Sequence, residues 1–218
     1  MYTTYSAIDS PMTPATPPVR KSTLRTSTAY SRSGRSGVEI ASVTGPLESL
    51  HGQKVLLLAD VENLIYSARN LGYKVSFRML GQRLQAIARS CSLHAFFSRP
   101  QGDDTLERYF QERGWITHPK NIEEFMTHKG WQRHANSDND ILFHAGNLVT
   151  RHDADFILVA SGDGLLAGDL ARLITGLPKS RHVATVSLAG STSFRLDART
   201  NPNITFNIEI GLDCLIPA

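Results

Sequence analysis

Two apolar runs in this chain each lead into an aspartate. Val55-Leu56-Leu57-Leu58-Ala59 ends at Asp60, and Phe156-Ile157-Leu158-Val159-Ala160 passes through Ser161-Gly162 into Asp163. Such runs form strands buried on both faces of a parallel sheet, and residues just past their carboxyl ends line the crevice where open α/β sheets bind ligands. Both carboxylates therefore fall at one rim. Between them in sequence, Asn136-Ser137-Asp138-Asn139-Asp140 opens an amphipathic segment and supplies more acid. Carboxylates gathered at one edge repel each other unless a cation sits among them, so the pattern points to a Mg²⁺ or Mn²⁺ site. The chemistry such a site serves is phosphoryl transfer.

Asp60 and Asn63 stand at a strand-to-helix transition, so the Asn63 amide can orient the Asp60 carboxylate or a water. If a helix begins near Ser137, Asp138 occupies its first turn, where the helix dipole favours negative charge. Asn, Ser and Asp are also preferred helix caps, and capping alone is the competing account of Asp138 and Asp140. In Ser161-Gly162-Asp163-Gly164 the flanking glycines allow a sharp turn and leave room for substrate or metal.

The elements that must position these groups alternate from about Gln53 onward. Strand patterns are expected at 55–59, 93–97, 115–117, 156–160, 183–188 and 204–210. Helical spacing is expected over 62–71, 76–90, 105–113, 138–151 and 165–175, with Gly72, Gly114 and Gly176 as stops. The stretch 119–135 reads as a polar connection. This alternation predicts a three-layer α/β sandwich with a mostly parallel central sheet.

Composition narrows the function classes. A chain of 218 residues, 41% of them hydrophobic, suffices for one well-buried domain plus an extension. No apolar run approaches the roughly 20 residues of a spanning helix, which argues against a membrane partner. Cys91 and Cys214 lie far apart with no CxxC spacing, which argues against a disulfide framework or zinc site and for a reducing, cytoplasmic setting. The histidines, among them His118, His128, His134 and His144, form no HExxH and read as packing or surface residues. The net charge of +3 sits in the first 40 residues, where Arg20, Lys21, Arg25, Arg32 and Arg35 face Asp9 and Glu39. Ser, Thr, Pro and Arg dominate there, so 1–45 is expected to be a disordered basic tail and 46–218 the folded domain. An Arg- and Ser-rich, acid-poor N-terminus also resembles an organellar transit peptide, but Pro11, Pro14, Pro17 and Pro18 oppose an amphipathic helix.

Asp60-Val61-Glu62-Asn63 after an apolar strand, Lys129-Gly130 followed by Asp138 opening a helix, and Ser161-Gly162-Asp163-Gly164 after a second strand resemble the NYN domain. That family is the LabA-like branch of the PIN-like nucleases. The stretch from Val186 to Leu196 resembles its closing strand and small-residue turn, and the likeness spans about residues 53–215. The resemblance implies a PIN-like, Rossmannoid fold, an acidic pocket for Mg²⁺ or Mn²⁺, and cleavage of RNA. By position, Asp60, Asp138 and Asp163 match the family's metal-binding acids, Asn63 its polar partner, and Asp140 a further acid common in relatives. Leu165 replaces the second acid of the family's SGDGD, and 131–136 is longer than the common form. One carboxylate fewer lowers the negative charge available to hold a second metal.

A divalent cation at such a site activates a water for in-line attack at phosphorus and leaves a 5′-phosphate and a 3′-hydroxyl. The expected function is a metal-dependent ribonuclease acting on single-stranded or structured RNA, with Asp60, Asn63, Asp138, Asp140 and Asp163 as catalytic residues. A weak or inactive RNA-binding, regulatory module on the same fold is the alternative, and Leu165 favours it. A small-molecule phosphatase fits poorly because Asp60-Val61-Glu62 lacks paired aspartates, and no GxGxxG follows the first strand for a dinucleotide. Lys54, Arg69, Lys74, Arg78, Arg99, Lys129 and Arg133 are candidate phosphate-facing cations, and Phe96, Phe97 and Trp131 candidate stacking residues, with packing the default for those three. Removing Asp60 is expected to abolish activity and leave the fold intact or slightly more stable, because it relieves carboxylate repulsion. Whether two chains pair as a homodimer with a longer groove is left open by the sequence.

Overall fold

No polar side chain interrupts the run between Lys54 and Asp60, and a strand with two apolar faces belongs at the centre of a sheet. The computed structural model describes residues 45–127, 130–134, 138–177, 181–191, 193, 195 and 197–218, the backbone alone at 45–46, 123–125, 127, 130–134, 138–140, 165 and 167. In chain order the elements are α1 (Gly45–Glu48), β1 (Lys54–Asp60), α2 (Val61–Asn70), β2 (Tyr73–Val75), α3 (Phe77–Ile87), β3 (Ser90–Arg99), α4 (Thr105–Gln111) and β4 (Ile116–Asn121). They continue with β5 (Glu123–Thr127), β6 (Gly130–His134), α5 (Asp138–Arg151), β7 (Phe156–Ala160), α6 (Gly164–Thr175), β8 (His182–Leu188), β9 (Phe206–Ile210) and β10 (Leu215–Pro217). The expected basic tail falls outside the described residues.

Six strands form the main sheet in the order β4-β3-β1-β7-β8-β9, and each neighbouring pair is parallel. The order runs outward from β1 in one direction and from β7 in the other, so the topological switch point lies between these two strands. Alternation divides the side chains of β1 between two cores. Val55, Leu57 and Ala59 join Val61, Leu64 and Ala68 of α2 and Phe77, Leu80 and Leu84 of α3. Leu56 and Leu58 join Ile141, Ala145 and Val149 of α5 and Leu166, Leu170 and Ile174 of α6. The result is the expected three-layer α/β sandwich. No helix among the described residues is long and apolar enough to cross a membrane.

Local chemistry sets the helix ends. Ser76 Oγ accepts the Met79 N–H at 3.3 Å and caps α3. Gly72 and Gly114 follow the ends of α2 and α4 with φ of 81° and 74°, a conformation that favours glycine. Three features differ from the periodic reading. β3 is longer than 93–97, because its ends pair without needing an apolar period. The polar stretch 119–135 contains the end of β4 and an antiparallel β5–β6 ribbon outside the main sheet. β2 and β10 pair with each other and are too short to show any period.

Four histidines scattered in sequence, His94, His118, His144 and His152, gather in space. His94 Nδ1 lies 2.9 Å from His118 Nε2, Ser92 Oγ lies 2.9 Å from His94 Nε2, and Phe96 stacks on His118 with ring centroids 4.4 Å apart. Packing is thus the role of His94, which is 1% exposed. Burial, reinforced by His118 and His152, holds His94 down at about 3. Burial and the nearby His144 hold His118 at about 4. An unfolded histidine takes up its proton near pH ~6.5, so below that value the unfolded chain binds more protons than the folded one. Their contribution is therefore complete above about pH 6.5 and is lost as the pH falls toward about 4. Urea midpoints are expected to fall between about pH 7 and about pH 5, and less steeply in a His94→Gln variant; equal slopes in the two proteins would count against this assignment.

Candidate functional site

Asp60 is the last residue of β1, and alternation puts it on the same face as Leu56 and Leu58, the face covered by α5 and α6. It is 7% exposed. Its Oδ1 accepts the Asn63 backbone N–H at 3.2 Å, which caps α2. Its Oδ2 accepts the Ser161 hydroxyl at 3.1 Å, and Ser161 Oγ in turn accepts the Asp163 backbone N–H at 3.1 Å. Asn63 Oδ1 accepts the Gly162 N–H at 2.7 Å. The end of β1 is thereby laced to the turn after β7, across the switch point. A carboxylate oxygen offers two lone pairs, so a hydrogen bond and a cation are compatible partners of one atom.

The glycines of this turn serve close approach. Neither Gly162 nor Gly164 has a positive φ, so conformational freedom is not what they supply. A Cβ on Gly162 would stand 2.9 Å from the Ser191 carbonyl oxygen and 3.1 Å from Asn63 Oδ1. One on Gly164 would run into the Ser193 side chain and stand 3.0 Å from the Cβ of Arg195. The small-residue segment after β8 therefore packs directly on the Ser161–Gly164 turn.

α5 begins at Asp138 and leads into β7, so it descends from the rim that holds Asp60 and Asp163. Its inward residues Ile141, Ala145 and Val149 pack on the face to which Asp60 belongs. The backbone thus places Asp138 and Asp140 in a first turn at that rim, while their side chains, like that of Leu165, lie outside the described residues. Among the described side chains, no group of three or more His, Cys, Asp or Glu is placed to hold a metal. The described part of the expected set is Asp60, Asn63 and Asp163. Ser161, buried and central to the network, was not a sequence candidate; its position directly after a buried strand is the only local signal.

Several supporting candidates move away from the site. Lys54 lies at the opposite edge of the sheet, where Nζ meets Asp153 at 2.6 Å. Arg69 sits in the last turn of α2, whose first turn is the one at the rim, and Arg99 is paired with Glu107. Phe96 and Phe97 are core residues, 1% and 0% exposed, and present no face for stacking. Lys129 and the side chains of Trp131 and Arg133 lie outside the described residues.

No family profile matches this chain, and no curated protein matches it. A crystal structure of a protein of unknown function from Vibrio parahaemolyticus is similar, with a TM-score of 0.59 and 18% identity, over 76% of this chain and 98% of that chain. Likeness at that identity bears on the fold alone, and it agrees with the α/β sandwich.

The network reverses the expected effect of truncating Asp60. The carboxylate is a helix cap and the acceptor of a buried hydroxyl, so its loss outweighs any relief of repulsion. Asp60→Ala is expected to cost about 1–3 kcal/mol of stability, and Asp60→Asn, which keeps an acceptor oxygen, less. Unfolding measured without added metal checks the order; an alanine variant as stable as the parent would restore the repulsion account.

Proposed function

We propose that this chain is a metal-dependent phosphodiester hydrolase acting on RNA, and within that class a member of the NYN branch of the PIN-like nucleases. The supporting observation is the pair of bonds by which Asp60 and Asn63 hold the Ser161-Gly162-Asp163 turn at the switch point. Carboxylate oxygens are hard donors suited to Mg²⁺ or Mn²⁺, and Asp60 and Asp163, with Asp138 from the head of α5, would hold such an ion. When bound, it would supply Lewis acidity toward a phosphate oxygen and a water of lowered pKa.

The chain's own contribution is position. Asn63 and Ser161 fix Asp60 and the Asp163 backbone before substrate arrives, so no reorganisation is needed during reaction. Asp140, two residues beyond Asp138, adds negative charge to the same first turn. The two free thiols among the described residues fit a reducing, cytoplasmic compartment. A second reading, an RNA-binding regulatory module with little or no activity, draws on Leu165 in place of an acid.

The purified chain is expected to cut a single-stranded RNA when Mg²⁺ or Mn²⁺ is added, to leave 5′-phosphate ends, and to stop with chelator. Asp60→Asn and Asp163→Asn are expected to lower the rate by about 100-fold or more. RNA bound but uncut with either metal would favour the regulatory module, and activity unchanged in both variants would remove these carboxylates from the reaction.

A further inference from the structure

Beyond Asp163 the rim opens into a cavity of about 330 Å³ between α6 and the loop 195–203. Gly164, the residue after Asp163, lines it together with Gly168 and Arg172 of α6 and Arg195 and Asn203 of the loop. Residues 164, 168 and 172 are four apart, so they share one face of α6. Glycine inside a helix costs about 1 kcal/mol relative to alanine, and a Cβ on Gly168 would meet nothing within 4 Å. Its missing side chain serves no packing contact; it keeps the cavity floor bare.

The opposite wall is preformed. Asn201 Nδ2 donates to the Arg195 carbonyl at 2.8 Å, and Asn201 Oδ1 accepts the Asn203 N–H at 3.0 Å. Arg172 is paired with Asp169, and the two arginines and one aspartate of the lining sum to a formal charge of +1. The volume lies at the lower end of the about 300–1,000 Å³ of small-molecule sites, which suits a unit the size of one nucleotide. An acidic rim repels a polyanion, and of the cations that sequence suggested for relief, Lys54 and Arg69 stand elsewhere and Arg99 is paired with Glu107. Arg195, whose Cβ a Cβ on Gly164 would approach to 3.0 Å, stands beside the rim, and Arg172 lies two turns further along α6 at the far end of the cavity.

We infer that this cavity is a subsite for one nucleotide of a single RNA strand, next to the bond cut at the acidic rim, with its phosphate held by Arg172 and Arg195. The inference rests on the nuclease reading above. The guanidinium fork suits phosphate oxygens, and Asn203 offers an amide to the sugar or base. The strand leaves the rim past Gly164 and crosses the bare face of α6 at Gly168.

Binding of a fluorescent 12-nucleotide single-stranded RNA to the full chain carrying Asp163→Asn, without metal, tests the subsite apart from cleavage. Adding Gly168→Gln, which fills the floor while improving helix propensity, or Arg195→Ala is expected to weaken binding about tenfold. Arg195→Ala should also reduce the slope of log affinity against log salt by about 0.7, the loss of one single-strand phosphate contact. Gly168→Ala should raise the melting temperature and weaken binding less than Gly168→Gln does, in the order of side-chain volume. Affinity and salt slope unchanged in Gly168→Gln and Arg195→Ala would overturn the subsite even where the parent chain cuts RNA, and so would absence of RNA binding altogether. The expected losses of binding in a chain that cuts no RNA with any metal would keep the subsite and overturn the nuclease.

Discussion

One hydroxyl governs the geometry of the rim. Ser161 Oγ donates to Asp60, 101 residues away in sequence, and accepts from the Asp163 backbone. Ser161 has no solvent exposure, and a buried hydroxyl must be satisfied within the protein. The same holds for the Asp60 carboxylate, whose desolvation would be costly without donors aimed at it. Each group therefore requires the other. The turn after β7 stays where the end of β1 needs it, and α2 and α6 start from fixed points on either side of the switch.

That mutual requirement explains how a sheet built from ordinary apolar alternation carries a specialised edge. The interior of β1 and β7 is hydrophobic on both faces and would tolerate many sequences of similar volume. At the carboxyl ends tolerance ends. Gly162 fits between Ser191 and Asn63, Gly164 fits against Ser193 and Arg195, and Asn63 meets the Gly162 backbone directly. Three stretches of chain are thus brought into van der Waals contact by small or polar residues, and the acids emerge from that junction.

The central strands and the helices α5 and α6 could be read from the chain because strands buried on both faces leave continuous apolar runs and amphipathic helices leave a 3.6-residue rhythm. The rim could be read for the same reason, since Asp60 and Asp163 follow directly from the ends of such runs. What stayed hidden depends on register between distant segments. His94 and His118 meet only because β3 and β4 pair with Phe96 opposite His118. Lys54 faces Asp153 because β1 and β7 begin at the same edge. Ser161, β2 with β10, and the β5–β6 ribbon likewise leave no periodic trace. The glycines of the Ser161–Gly164 turn were legible as glycines, but whether they serve torsion or proximity is decided by neighbours that local sequence does not name.

The strand order has a consequence for biogenesis. β1 precedes one of its two flanking partners, β7, by about a hundred residues. Until β7 follows, a fully apolar strand lies open along one edge in the nascent chain, the circumstance in which slow, long-range pairing leaves polypeptides prone to aggregate and dependent on chaperones. A product released from the ribosome before Ser161 would contain Asp60 without its partner, and so half of an acidic rim. Assembly of the rim is thereby coupled to translation of the second half of the domain.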